Sequence, residues 1–212
     1  MFVHRRSAQQ ESRGAAALGV LTRDVGGSRL LSGGRRTVSG VRIETLDLLA
    51  HADQVDSLKR AALATVAEAT GIDSGDDEEQ HYERHAARDG FRAVGAWGGD
   101  RLVGFAYGYR ETPGSWWEGW VRPALDQVGE AGLLEGAFEV VALHVLPELH
   151  GQGVGTRLLA ALLDDVDAAR VLLTTQDGAN PARVFYRARG FREVATLPYG
   201  HVPYLVLARD LP

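Results

Sequence analysis

Residues 144–159 read HVLPELHGQGVGTRLL: an apolar run that stops at a proline, a turn holding three glycines, then an amphipathic stretch. A strand that ends in such a turn and enters a helix has few other shapes open to it. Gly151, Gly153 and Gly155 leave room for a ligand to approach the backbone. The N–H groups of the turn and of the first helical residues converge on one point, which is the geometry that binds a phosphate or pyrophosphate. Two common phosphate motifs do not match. A dinucleotide-binding turn reads GxGxxG, whereas here GxGxG is followed by Thr156, and a P-loop needs a lysine that this stretch lacks. An ordinary tight turn with glycine caps is the plain alternative, and the three glycines alone do not separate the two.

The surrounding pattern supplies a framework. Residues 1–40 are rich in Gly, Ser and Arg without sustained periodicity. They read as a flexible extension, with a transit-type leader and a start near Val38 as the other readings. Alternation at 41–43 predicts a short strand. Val55, Leu58, Ala62 and Val66 fall on one face of a helix over 46–70, and a second helix is expected over 76–88. Strand-like runs at 91–97 and 101–110 flank Gly98-Gly99-Asp100, a hairpin signal. Residues 112–134, with three tryptophans, read as irregular. A buried strand over 137–146, a helix over 154–166 and a strand over 171–175 follow. A short helix then opens at Asn180-Pro181 and stops at Gly190, and strands over 191–196 and 204–208 close the chain. The order predicts a mixed α/β domain over 41–212, with one sheet and helices on its faces.

Composition excludes several classes. The absence of cysteine rules out disulfides, thiolate metal sites and a cysteine nucleophile. No apolar run has the length of a membrane span. Residues 1–40 carry seven Arg and two acids, so the net charge of −5 leaves the rest at −10. That is a poor surface for nucleic acid and a weak pointer to cationic partners. His81 and His85 have a zinc-compatible spacing, but Tyr82 replaces the Glu of HExxH and no third ligand is evident, so a solvated helix face and no metal are expected.

The run 138–163 resembles the coenzyme-A-binding signature of the GNAT N-acetyltransferase superfamily, [Q/R]xxGxG/A between an apolar strand and an amphipathic helix. His150 stands where the family has Gln or Arg, with Gly153 and Gly155 at the glycine positions. About thirty residues on, ANPARVFYRARGF is similar to the family's later motif, with Asn180 and Tyr186 at its Asn and Tyr. The resemblance implies the GNAT fold, a central, mostly antiparallel sheet flanked by helices. It also implies acetyl-coenzyme A as cosubstrate, transfer of its acetyl group by direct attack of a primary amine on a small molecule or peptide, and a cytoplasmic enzyme, a dimer in many relatives. It implies that Leu143, Val145, His150, Gly151, Gln152, Gly153, Val154, Gly155, Thr156, Asn180 and Arg183 contact the coenzyme, with Arg157 a further cation beside the cradle. Glu139 matches the general base of the histone-acetyltransferase branch, and Tyr186 would stabilise the departing thiolate.

The acceptor side is more open. Trp116, Trp117 and Glu118 are candidates for an amine pocket, against ordinary packing of a long insert, and His144 and His201 are further candidates. Strand parity places Glu139 and His144 on opposite faces unless a bulge intervenes. The rivals to catalysis are a non-catalytic acyl-coenzyme-A-binding module and an unrelated nucleotide binder.

Overall fold

A computed structural model describes residues 40–70, 81–178 and 180–212. The elements are β1 (Val41–Thr45), α1 (Ala52–Thr70), α2 (Tyr82–Ala86), β2 (Arg92–Gly98), β3 (Arg101–Arg110), α3 (Trp116–Gln127), β4 (Phe138–Val145), α4 (Val154–Leu163), β5 (Arg170–Gln176), α5 (Pro181–Arg187), β6 (Arg192–Tyr199) and β7 (Val202–Asp210). The seven strands form one sheet in the order β1-β2-β3-β4-β5-β7-β6, antiparallel at every junction except β4–β5. This is the single mixed sheet with helices on its faces that the element order predicts, mostly antiparallel as the resemblance implies. The expected extension over 1–40 lies outside the described residues, apart from Gly40.

The apolar stripes bury as their spacing requires. Val55, Leu58 and Ala62 on α1 and Val154, Leu158 and Leu162 on α4 are each 3% exposed or less. Helix α1 begins six residues later than expected, because Leu46 still pairs its N–H with the Ala93 carbonyl (2.9 Å) and the chain turns at Asp47 before the helix starts. Of the second helix expected over 76–88, residues 76–80 lie outside the described residues, as do 71–75, and the rest holds α2. Helix α4 stops at Leu163, since Asp164 is extended and Asp165 left-handed (φ 54°).

The stretch expected to be irregular holds α3. Ser115 caps it: its Oγ accepts from Glu118 N (2.9 Å), and Glu118 Oε2 accepts from Gly114 N (2.6 Å), a variant of the capping box. Gly119 and Pro123 hide the helix in the sequence. Its buried face, Trp117, Val121, Ala124 and Leu125, nevertheless keeps helical spacing and joins Leu197 and Tyr204 in a second core under β5–β7.

The feature on which the site depends is a β-bulge in β4. Phe105 pairs with His144, Tyr107 with Ala142 and Tyr109 with Glu139, while the register shifts between Tyr107 and Gly108. Directly paired residues share a face, so the extra β4 residue brings Glu139 and His144 to the same side of the sheet. The opposite-face expectation is corrected for that reason. Their face is covered by α1 and α2: the Tyr82 and His85 rings lie against Tyr107, and the Tyr82 hydroxyl bonds Asp56 of α1 (2.7 Å). Helix α4 covers the other face, with Leu158 packed where a side chain at Gly104 would stand.

Gly108 opposes the bulge because nothing larger fits. A Cβ there would lie 2.2 Å from the Glu139 carbonyl and 2.6 Å from the Phe138 ring. Gly108→Ala is expected to destabilise the fold by about 2–4 kcal/mol in urea unfolding, against less than ~0.5 kcal/mol for Gly132→Ala in open space.

His144 is fully buried, with neither ring nitrogen partnered. Burial, aided by the Lys59 charge, pushes its pKa down to about 3. Below the unfolded pKa of about 6.5 the unfolded chain gains a proton that the folded one refuses, so this group's contribution is present above that pH and is lost on acidification at ~1.4 kcal/mol per unit. His144→Leu should therefore gain about 2 kcal/mol on wild type between pH 7 and pH 5, read from denaturant midpoints. A pH-independent difference would refute the assignment.

Candidate acetyl-transfer site

Strand β4 parts from β5 almost at once. The two pair only at Phe138–Val171 and Glu139–Leu172, and beyond them the edges diverge. Leu146 donates to the Val103 carbonyl on the β3 side (2.9 Å), so by alternation the backbone groups of Leu143 and Val145 face the open side. His150 meets them there, its Nε2 lying 2.8 Å from the Val145 carbonyl. Desolvation lowers the His150 pKa, so the ring is held neutral, as an uncharged donor to that carbonyl.

The glycine turn follows. The N–H of His150 is taken by the Pro147 carbonyl (3.1 Å) and that of Gln152 by the Leu149 carbonyl (3.3 Å). The amides aimed outward are accordingly those of the first turn of α4. Val154, Gly155 and Thr156 have no upstream helical carbonyl to bond, and the positive end of the helix dipole adds to them. Gly151 and Gly153 are left-handed (φ 72° and 80°), which delivers the chain into α4 at that angle. A Cβ on Gly155 would lie 3.3 Å from the Phe185 ring, so α4 and α5 pack closely here.

Two expected cations are committed elsewhere. Arg157 donates to the Val41 carbonyl (2.9 Å), on the edge strand. Arg183 binds Glu193 through two 2.6 Å bonds and Asp177 at 3.0 Å, tying α5 to the sheet. The cation at the cradle is one the sequence reading missed. Arg189 lies 3.6 Å over the Phe185 ring, donates to the Phe185 carbonyl (2.6 Å) and bonds the Thr156 hydroxyl. Its signal was only its place just before Gly190.

Asn180 caps α5 through Ala182 N (2.9 Å) and also donates to Thr175 Oγ1 and the Gln176 carbonyl (3.2 Å each), which fixes α5 on the end of β5. That orientation buries Tyr186 completely between Phe185 and Phe191, with no partner for its hydroxyl. Burial raises its pKa, so it is a phenol at any neutral pH.

At the other end of β4 a cavity opens between α2, the start of α3 and the sheet. Glu139 and Tyr109 stand on its wall with Trp116 and Trp117, and His81, Arg84, His85 and Arg88 of the α2 segment complete it. Glu139 is 4% exposed. Desolvation first, then the neighbouring Glu111 carboxyl, hold its pKa well above the usual carboxylate range. Glu111 is raised by burial as well, and each of the two carries an unpartnered buried oxygen. An unsatisfied buried acid that faces a cavity, as Glu139 does, is a functional-site candidate.

His85 is half-buried rather than solvated. It lies 3.2 Å from the Tyr107 hydroxyl, with its pKa lowered to about 4 by desolvation and by Arg88, His81 and Arg84. Among the described residues no group of three or more His, Cys, Asp or Glu could hold a metal ion. Glu118 does not reach the cavity, because its carboxylate is taken by Gly114 N and Arg122. His144 lies under α1 beside Phe105 and is not among the cavity residues. His201 is exposed in the β6–β7 turn, beyond Tyr199, whose ring abuts Trp116 and Trp120.

The site fits a coenzyme-A thioester on three counts: the outward amides of α4 with Arg189 beside them, the open edge of β4, and the buried, unpartnered Tyr186 hydroxyl. Comparison with known proteins agrees. Residues 60–191 match the Acetyltransferase (GNAT) family. A GCN5-like protein acetyltransferase of Mycobacterium tuberculosis is 36% identical over 101 residues, 44% of this chain and 49% of that one, so the aligned segment spans about half of that relative's length. An acetyltransferase from Thermus thermophilus superposes with a TM-score of 0.57 at 18% identity over 82% of this chain and 99% of its own. The PaiA N-acetyltransferase of Thermoplasma acidophilum, solved with coenzyme A, does so at 0.56 and 12% over 81% and 99%. The chain belongs to the GNAT family of acetyltransferases, whose cosubstrate is acetyl-coenzyme A.

Proposed function

We propose that the protein transfers the acetyl group of acetyl-coenzyme A directly to an amine. One observation supports this reading above the others. A single strand, β4, carries an anion cradle at its C-terminal end and a carboxyl-walled cavity at the point where it leaves β5. A non-catalytic coenzyme-binding module has no use for the second.

The thioester supplies an activated acetyl carbon. The N–H groups of Val154, Gly155 and Thr156, with Arg189 beside them, hold the pyrophosphate, and Gly151 and Gly153 shape the turn. In this reading Arg189 provides the positive charge that the family's Gln or Arg position lacks here, and His150 acts by tying down the Val145 carbonyl. The open backbone edge of Leu143 and Val145 pairs with the pantetheine arm, which runs along β4 from the cradle towards the opening at Glu139. Asn180 positions α5. The Tyr186 hydroxyl donates a hydrogen bond to the departing thiolate and keeps its proton. Glu139 receives the proton of the attacking amine, and its raised pKa makes its carboxylate a stronger base.

Glu139 works only when ionised, so activity rises with pH through its elevated pKa. Glu139→Gln should lower kcat/KM by at least ~100-fold and abolish that limb of the pH profile. Tyr186→Phe should slow the chemical step by roughly 10-fold or more while leaving coenzyme affinity within about twofold. Calorimetric titration with acetyl-coenzyme A, with ATP and NAD as controls, tests the cradle. Selective binding with no turnover on any amine would instead favour the binding-module reading.

A further inference from the structure

The chain is acidic overall, with a net charge of −5, yet the α2 wall of the cavity is basic. Arg84 is exposed and Arg88 half-buried, and neither makes an ion pair among the described residues. Arg88 lies 4.7 Å over the Tyr109 ring and donates to Thr112 Oγ1 (3.3 Å), which fixes it at the cavity mouth. Tyr109 pairs directly with Glu139 across β3–β4, and both line the cavity with Arg88. The wall holds one acid, Glu139, against these two arginines, and burial disfavours its charged form. A polycationic acceptor would meet repulsion here. The opposite wall is apolar, with Trp117 5% exposed and Trp116 half-buried and stacked on Trp120 at 5.5 Å.

We propose that the acceptor is a small amine that also carries a carboxylate, an amino acid with an apolar or aromatic side chain. Arg84 and Arg88 take the carboxylate, Trp116 and Trp117 the side chain, and the amine faces Glu139. The proposal rests on the acetyl-transfer reading and names its substrate class. In the transfer the amine nitrogen forms a bond to the acetyl carbon and the carbon–sulfur bond breaks. Sulfur leaves with the electron pair as thiolate, and the nitrogen's proton passes to the Glu139 carboxylate.

The test uses the full chain with acetyl-coenzyme A and matched acceptor sets. Apolar and aromatic amino acids are compared with the amines that lack only their carboxylate (phenylalanine against phenethylamine, leucine against isopentylamine) and with an aminoalkyl phosphate. The expected result is a kcat/KM at least ~10-fold higher for the best amino acid than for its matched amine, the worth of one charge-assisted pair. Arg84→Gln and Arg88→Gln, each checked for folding by circular dichroism, should cut that ratio by about 10-fold. Equal or better turnover of the bare amines, or a preference that survives both substitutions, would overturn the proposal. A higher kcat/KM for the aminoalkyl phosphate would overturn the carboxylate assignment.

A second readout does not need turnover. Tryptophan fluorescence should be quenched by N-acetylphenylalanine at lower concentration than by N-acetylphenethylamine, with the difference lost in Arg84→Gln. If acetyl-coenzyme A binds and no amine is acetylated, the acetyl-transfer reading fails, and the quenching comparison still decides this proposal.

Discussion

One extra residue in β4, opposite Gly108, organises the catalytic half of this molecule. The strand's period of two would put Glu139 and His144 on opposite faces, and the bulge moves them to the same one. Glu139 thereby reaches the cavity beneath α2 and α3 instead of the packed face under α4. A bulge also bends and twists its strand, and here β4 separates from β5 directly after Glu139. The carboxyl that faces the cavity and the opening between β4 and β5 lie beside one local irregularity. It is possible because Gly108 lets the Glu139 carbonyl approach where a Cβ would collide.

The electrostatics are arranged by burial more than by ion pairing. Glu139, Tyr107, Tyr109, Tyr186 and His144 all lie in low-dielectric surroundings that disfavour their charged forms. Burial thus works against the Glu139 carboxylate, the three phenolates and the His144 imidazolium. A raised pKa makes the Glu139 carboxylate a stronger base, and the Tyr186 proton stays on its oxygen. Guanidinium groups also stand near the site, Arg189 beside the first turn of α4 and Arg84 with Arg88 at the cavity. Two anion-attracting regions therefore lie at opposite ends of β4 in a chain that is acidic overall.

Features with local causes were readable. The stripes of α1 and α4, the hairpin at Gly98–Gly99, the Asn180 cap with Pro181 behind it and the glycine turn depend on residues within a few positions of one another. Each appears in the structure close to where its spacing puts it. The errors have physical reasons as well. Gly119 and Pro123 mask α3, although Ser115 and Glu118 form its capping box and Trp117, Val121, Ala124 and Leu125 keep its period. Glu118, a candidate for the acceptor site on composition, is used by that box. Arg183 and Arg157, both suitably placed along the chain to help an anion, are taken by Glu193 with Asp177 and by the Val41 carbonyl. Arg189 reaches the cradle only because α5 packs across the first turn of α4.

The sequence by itself determined the strands, the helices other than α3, the glycine turn and the family, because strand and helix periods, caps and glycine positions are written in short-range spacing. Tertiary structure decided which side chains share the site. The bulge chose the face of Glu139, and burial set its protonation and that of Tyr186. Packing of α5 on α4 selected Arg189 over Arg157 and Arg183, and the seating of α2 on β3 turned Arg84, His85 and Arg88 towards the cavity. Contacts between residues about 20 to 35 positions apart leave no local signature, and desolvation is a property of the whole fold.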